Sequence, residues 1–199
     1  MTESHDTYQR ILSSARDLMH ASSYAEVGVA AICEKAEVKK GSFYHFFKSK
    51  QELTLAVIDG YFASFKDELV TKAFATDVSP LKRIERLFTS LIEMQIQVHG
   101  QTGQILGCPF GNLATEMATQ DEAIRSKIDL VFSRISTLLE QTLHSALEQG
   151  ELENIDPVAT GQAMLAYFEG MMLLAKTKND PGILRQLNPA VVNIRIAAD

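Results

Sequence analysis

The chain is 199 residues long, 46% apolar and 22% charged, with a net charge of −6 and a mean hydropathy of −0.02. Such a composition allows a sizeable core and excludes disordered, collagenous and disulfide-stapled chains. Two cysteines, Cys33 and Cys108, are too few for a disulfide framework, and they read as free thiols of a reducing, cytoplasmic compartment.

The start, MTESHDTYQR, is polar and acid-bearing, unlike a signal peptide. The most apolar run, residues 163–175, contains Glu169 and is too short to cross a bilayer as a helix, so no membrane partner is expected. Apolar residues recur at three and four positions, which predicts helices throughout. The first covers residues 6–22, with Tyr8, Ile11, Leu12, Ala15, Leu18 and Met19 on one stripe. Short helices follow at about 29–36 and 40–46. A long one runs from Lys50 to about Lys72 through Leu53, Val57, Tyr61, Phe65 and Leu69. Ser49 and Glu52 stand at the spacing of a capping box at its start.

Ser79-Pro80 opens a helix expected to stop at Gly100. Thr119 and Glu122 form a second candidate capping box, ahead of a helix ending at Gly150. Asp156-Pro157 and Asp180-Pro181 repeat a cap-plus-proline start for the last two helices. The fold expected is all-α, with about nine helices.

Net charge argues against nucleic acid, but its distribution does not. Residues 35–50 hold five lysines against Glu37 alone, whereas residues 61–199 hold twelve basic and seventeen acidic side chains. A basic patch on an acidic body confines anion binding to one face. Two short helices joined by about three residues make a helix-turn-helix if their facing sides are apolar. Ala31, Ile32 and Ala36 on the first, Val38 in the turn, and Phe43 and Phe47 on the second supply that packing. The opposite face of the second helix then shows Lys39, Lys40, Gly41, Ser42, Tyr44 and His45, with Lys48 and Lys50 just beyond. Lysines and helix-start N–H groups attract phosphate, while Tyr, Ser and His reach phosphate or base edges. The same residues also suit a solvated face beside an aromatic core.

Residues 8–58, above all KKGSFYHFFKSKQEL at 39–53, resemble the DNA-binding domain of the TetR family of transcriptional regulators. The resemblance implies a three-helix helix-turn-helix domain over 1–48, and a helical-bundle ligand-binding and dimerisation domain over 49–199. It implies a homodimer whose heads each enter one half-site of a double-stranded operator. By it, Lys39, Lys40, Gly41, Ser42, Tyr44 and His45 meet the groove, Lys48 flanks the backbone, Lys50 meets a phosphate, and Phe43 and Phe47 are core. Two departures stand out: Glu37 occupies the turn where the family often has glycine, and Gly28-Val29 replaces a Ser or Thr at the second helix start. The segment GCPFGN at 107–112 resembles a branch of the family with a Gly-Cys-x-x-Gly-Asn stretch.

In the body, residues 100–112 read as a connection between helices, with Cys108 at a helix start where a thiolate is favoured. Cys108 is a candidate sensor of electrophiles or oxidants, and Cys33 a core thiol. Phe65, Phe88, Met94, Phe110 and Phe168 could line an apolar pocket for a small-molecule effector, with His99 and Asn112 as polar contacts. Residues 158–175 are apolar nearly all round, so the last two helices, about 157–197, are expected to pair with their two-fold mates.

Histidines 5, 20, 45, 99 and 144 show no ligand spacing with cysteine, so neither a metal nor a cofactor is expected. No catalytic motif is present. The alternative reading is a helical enzyme or a thiol-dependent detoxification protein using Cys108 and His99.

Overall fold

The computed structural model of the chain describes residues 2–198, with side chains from residue 4 onward. In chain order the helices are α1 (Thr2–Ala21), α2 (Val29–Lys35), α3 (Lys40–Phe46), α4 (Lys50–Ser64), α5 (Pro80–Thr102), α6 (Pro109–Met117), α7 (Glu122–Glu148), α8 (Pro157–Lys178) and α9 (Pro181–Val191). Among the described residues no strand forms, and one isolated bridge joins Ile155 to Ala197. The all-α expectation therefore holds.

Several helix ends form as the sequence predicts. The Ser49 Oγ accepts the Glu52 N–H at 3.1 Å, and Glu52 reaches back to the Lys48 N–H at 2.7 Å. Asp156 Oδ1 accepts from Val158 and Ala159, and Asp180 Oδ1 from Gly182. Gly150 takes a φ of 72° just beyond α7.

Four ends or contacts differ. Gly100 lies inside α5; the stop is Gly103, whose φ of 72° lets its N–H reach the His99 carbonyl at 2.8 Å. Asp121, not Thr119, caps α7, accepting the Ile124 N–H at 3.0 Å. The helix from Lys50 is not uniformly α. It passes into a π-helical turn, Phe65–Val70, and one last α-turn, Thr71–Ala73; there the Thr71 hydroxyl and N–H both donate to the Lys66 carbonyl, widening the turn. Ala31 is exposed rather than packed, because the inward face of α2 is Ile32, Cys33 and Ala36.

The chain divides into two compact units. One comprises Met1–Ala63 and Pro109–Asp129, the other Ser64–Cys108 and Leu130–Asp199. The core of the first gathers Ile11, Ala15 and Met19 of α1, Ile32 and Cys33 of α2, Phe43 of α3, Phe47, and Leu53 and Val57 of α4. Tyr8 stacks on Phe47 with ring centroids 5.1 Å apart. Burying side chains of this size stabilises by roughly 2–3 kcal/mol each.

In the second unit, α9 packs on α5 and α8. Phe88 of α5 meets Phe168 of α8 with centroids 5.3 Å apart. Glu151 completes the start of α5 from a distance, its Oε2 accepting the Leu81 N–H and the Ser79 hydroxyl. The inward face of α8 is Met164, Phe168, Met171, Met172 and Ala175, while Val158, Leu173 and Leu174 remain exposed. α9 ends at Val191, with Pro189 in its last turn. Past that end, Thr160 Oγ1 accepts the Ile196 N–H at 3.0 Å.

Candidate functional site

The α2–α3 turn decides how α3 is presented. Glu37 takes a left-handed φ of 54°. The Glu37 N–H bonds the Glu34 carbonyl at 3.1 Å and the Val38 N–H bonds the Cys33 carbonyl at 2.9 Å. That double bond is a Schellman turn, a geometry glycine usually adopts, completed here by a glutamate with Val38 as its apolar contact. The start of α2 has no side-chain cap: Gly28 is its extended first residue.

α3 then sorts its residues by face. Phe43 is 0% exposed and Tyr44 is 56% exposed. Lys39, Lys40, Gly41, His45 and Lys48 are also exposed, and Ser42 is half-buried. These side chains share one surface, backed by the Phe43 and Phe47 core. A Cβ built on Gly41 would meet nothing within 4 Å. Packing within the chain therefore leaves that position open.

Lys50 stands apart from this set. Its Nζ donates to the Tyr24 carbonyl and lies 3.9 Å from the centroid of the Tyr24 ring. Partial burial lowers the titration of this amine, against the pull of the Glu116 carboxylate. Glu116 of α6 in turn accepts the backbone N–H of Tyr24 at 2.8 Å and of Ala25 at 2.7 Å. Gln51 donates to Asp121 at 2.7 Å, and Lys127 pairs with Asp59 at 2.6 Å. No local pattern pointed to Glu116 or Tyr24, because their partners are remote in sequence.

The predicted effector residues are divided between the two units. Phe88 and Phe168 meet; Phe65 and His99 are half-buried and Met94 is 40% exposed. Phe110 and Asn112 belong to the other unit, where Phe110 makes an edge contact with Tyr61 at 6.1 Å. Cys108 is half-buried, and its thiol hydrogen-bonds Glu169 of α8. The segment leading to it is pinned by Asn179, whose Oδ1 accepts the Ile105 N–H and whose Nδ2 donates to the Gly103 carbonyl, each at 2.8 Å. Burial pushes the Cys33 thiol up, as a core thiol requires. Among the described residues no cluster of His, Cys, Asp and Glu could hold a metal, and no helix is long and apolar enough to cross a membrane.

Comparison with known proteins decides between the regulator and enzyme readings. Residues 11–57 match the family of bacterial regulatory proteins called tetR, and residues 80–191 match the tetracyclin repressor-like C-terminal domain. The chain belongs to the TetR family of DNA-binding transcriptional regulators. TetR-family proteins of this kind are not enzymes, so the detoxification alternative falls. The chain is 33% identical over 176 residues to the transcriptional regulator AcuR of Cereibacter sphaeroides, spanning 87% of this chain and 78% of that one. It is 27% identical over 173 residues to the repressor NemR of Escherichia coli, spanning 86% and 85%. A crystal structure of a regulatory protein TetR from Rhodobacter sphaeroides superposes with a TM-score of 0.83 at 28% identity, covering 96% of this chain and 99% of that one.

Proposed function

We propose that this TetR-family regulator is a cytoplasmic homodimeric repressor that holds a near-palindromic operator with the exposed face of α3. The observation that carries this is the sorting of α3: Phe43 buried, with Tyr44, His45, Lys39 and Lys40 outward. Lys39, Lys40, Ser42, Tyr44 and His45 enter the major groove, the open position of Gly41 admits a closely approaching backbone, and Lys48 and Lys50 take phosphates. Half-sites lie about 34–36 Å apart, or a multiple of it. The relative NemR carries the name of a transcriptional repressor, which supports repression over activation. The exposed Leu173 and Leu174 of α8 support pairing of the last two helices with their two-fold mates.

Release follows a small-molecule or electrophilic signal received in the body, with Cys108 as the reacting thiol. Phe65, Phe88, Met94, His99 and Phe168 remain candidate effector contacts of the second unit, and Phe110 and Asn112 of the first. The signal must favour one head spacing over another, since a ligand indifferent to both shifts nothing. Selection of duplexes from a random library by the purified protein tests the head: a two-fold symmetric site is expected, and recovery of no sequence would end the reading. Retention of electrophile-driven release by Cys108→Ser would end the sensor role.

A further inference from the structure

Lys50 opens α4, directly after its cap Ser49. A helix start carries the positive end of the backbone dipole, where a cation is disfavoured. The amine is also half-buried, and burial lowers its titration. Among the described residues its one hydrogen bond goes to an uncharged group, the Tyr24 carbonyl. The Glu116 carboxylate pulls on it only through its charge. A cation so placed gains from a further anion.

Both backbone polar groups of Tyr24 are taken by side chains of opposite charge. Its N–H goes to Glu116 at 2.8 Å, and its carbonyl accepts from Lys50 Nζ. The Tyr24 ring lies against the same Nζ, 3.9 Å from its centroid, within range of a cation–π contact. Carbonyl and ring together hold the ammonium in one place. An ammonium has three N–H donors, so the Tyr24 bond leaves donors for a phosphate.

Lys39, Lys40 and Lys48 are exposed, and each must give up rotamer freedom to hold a phosphate. Lys50 has already been ordered by folding. A group ordered in advance binds more tightly, because less freedom is lost when the partner arrives.

We propose that Tyr24 is a positioning residue for DNA binding: its carbonyl and ring hold Lys50, in the DNA-free head, where it takes a backbone phosphate. This rests on Lys50 being a phosphate contact. The opposite case is physically distinct. If a phosphate drew Lys50 off Tyr24, the carbonyl and ring would compete with DNA, and removing the ring would tighten binding.

The full-length protein is titrated against two probes, the duplex recovered by selection and a duplex of mixed sequence. Tyr24→Leu, which removes the ring and keeps the carbonyl, should weaken binding to both by the same factor, about threefold per head, because a phosphate contact carries no base information. Tyr24→Phe, which keeps the ring, should restore the natural affinity. In a Lys50→Ala background, Tyr24→Leu should change affinity by less than about twofold. A merely structural role would weaken both backgrounds equally and overturn the proposal, as would tighter binding by Tyr24→Leu. The slope of affinity against salt should fall with Lys50→Ala and stay with Tyr24→Leu, since the phosphate is still neutralised. Relaxation of the lysine side-chain carbons in the DNA-free natural protein needs no substitution. There Lys50 should be more ordered than Lys39, Lys40 and Lys48, and equal mobility would overturn the proposal. Unchanged affinity of Lys50→Ala would remove the phosphate contact itself; a loss with Lys50→Ala and none with Tyr24→Leu would remove only the role of Tyr24.

Discussion

The Glu116 carboxylate of α6 accepts the Tyr24 backbone N–H at 2.8 Å, across 92 residues of sequence. Its other oxygen takes the neighbouring Ala25 N–H. One side chain therefore closes the turn between α1 and α2, and the Tyr24 so placed offers its carbonyl and ring to Lys50. Glu116→Ala leaves two N–H groups to solvent and removes an anion near Lys50. The expected cost is about 1 kcal/mol in urea unfolding, since the site is partly exposed, with faster amide exchange at Tyr24 and Ala25. Unchanged exchange there would remove the latch.

The left-handed Glu37 carries strain that glycine would relieve. Glu37 is exposed, so nothing is lost from the core on substitution. Glu37→Gly should stabilise by up to about 1 kcal/mol, offset in part by the greater freedom of the unfolded chain. A lower midpoint of thermal unfolding would contradict the Schellman geometry.

Tyr44→Ala should leave folding nearly untouched, because the side chain is exposed apart from its edge contact with Phe43. DNA affinity should fall for all sequences. Lys50→Ala should do the same and lower the slope of affinity against salt by about one counterion. Titrations at two salt concentrations check both, and unchanged affinity in both variants would contradict the head assignment.

His45→Ala and Lys39→Ala should instead change which sequences are preferred. Loss of a base contact costs roughly 1–3 kcal/mol at one position of the site. Repeating the duplex selection with each variant shows whether the altered preference is confined to one base pair per half-site.

Glu169 imposes a pH dependence on stability. Its folded-state titration is raised above the ordinary 4.5 by burial, so the folded chain holds the proton more tightly than the unfolded one. Stability from this group is present below the ordinary range and is lost as pH rises through the raised value. Glu169→Gln should therefore gain on the natural protein above that window and lose the advantage below it. Melting temperatures of both proteins at about pH 4 and about pH 7 measure the difference.

Helix placement was legible in the sequence because its causes are local. Apolar spacing, the Ser49 and Glu52 caps, and the Asp-Pro starts act within a turn or two. The face of α3 was legible too, since the spacing of Phe43 and Phe47 commits one side to the core and leaves Tyr44 and His45 outward. Tertiary structure alone decided the rest. Glu116 with Tyr24, Gln95 with Gly107, and Cys108 with Glu169 pair groups whose meeting depends on how helices come together. A glutamate or glutamine carries no local signal of such a partner, because one polar residue suits a solvated face as well as a buried bond. Only packing removes the water, and that removal is what makes each partner matter.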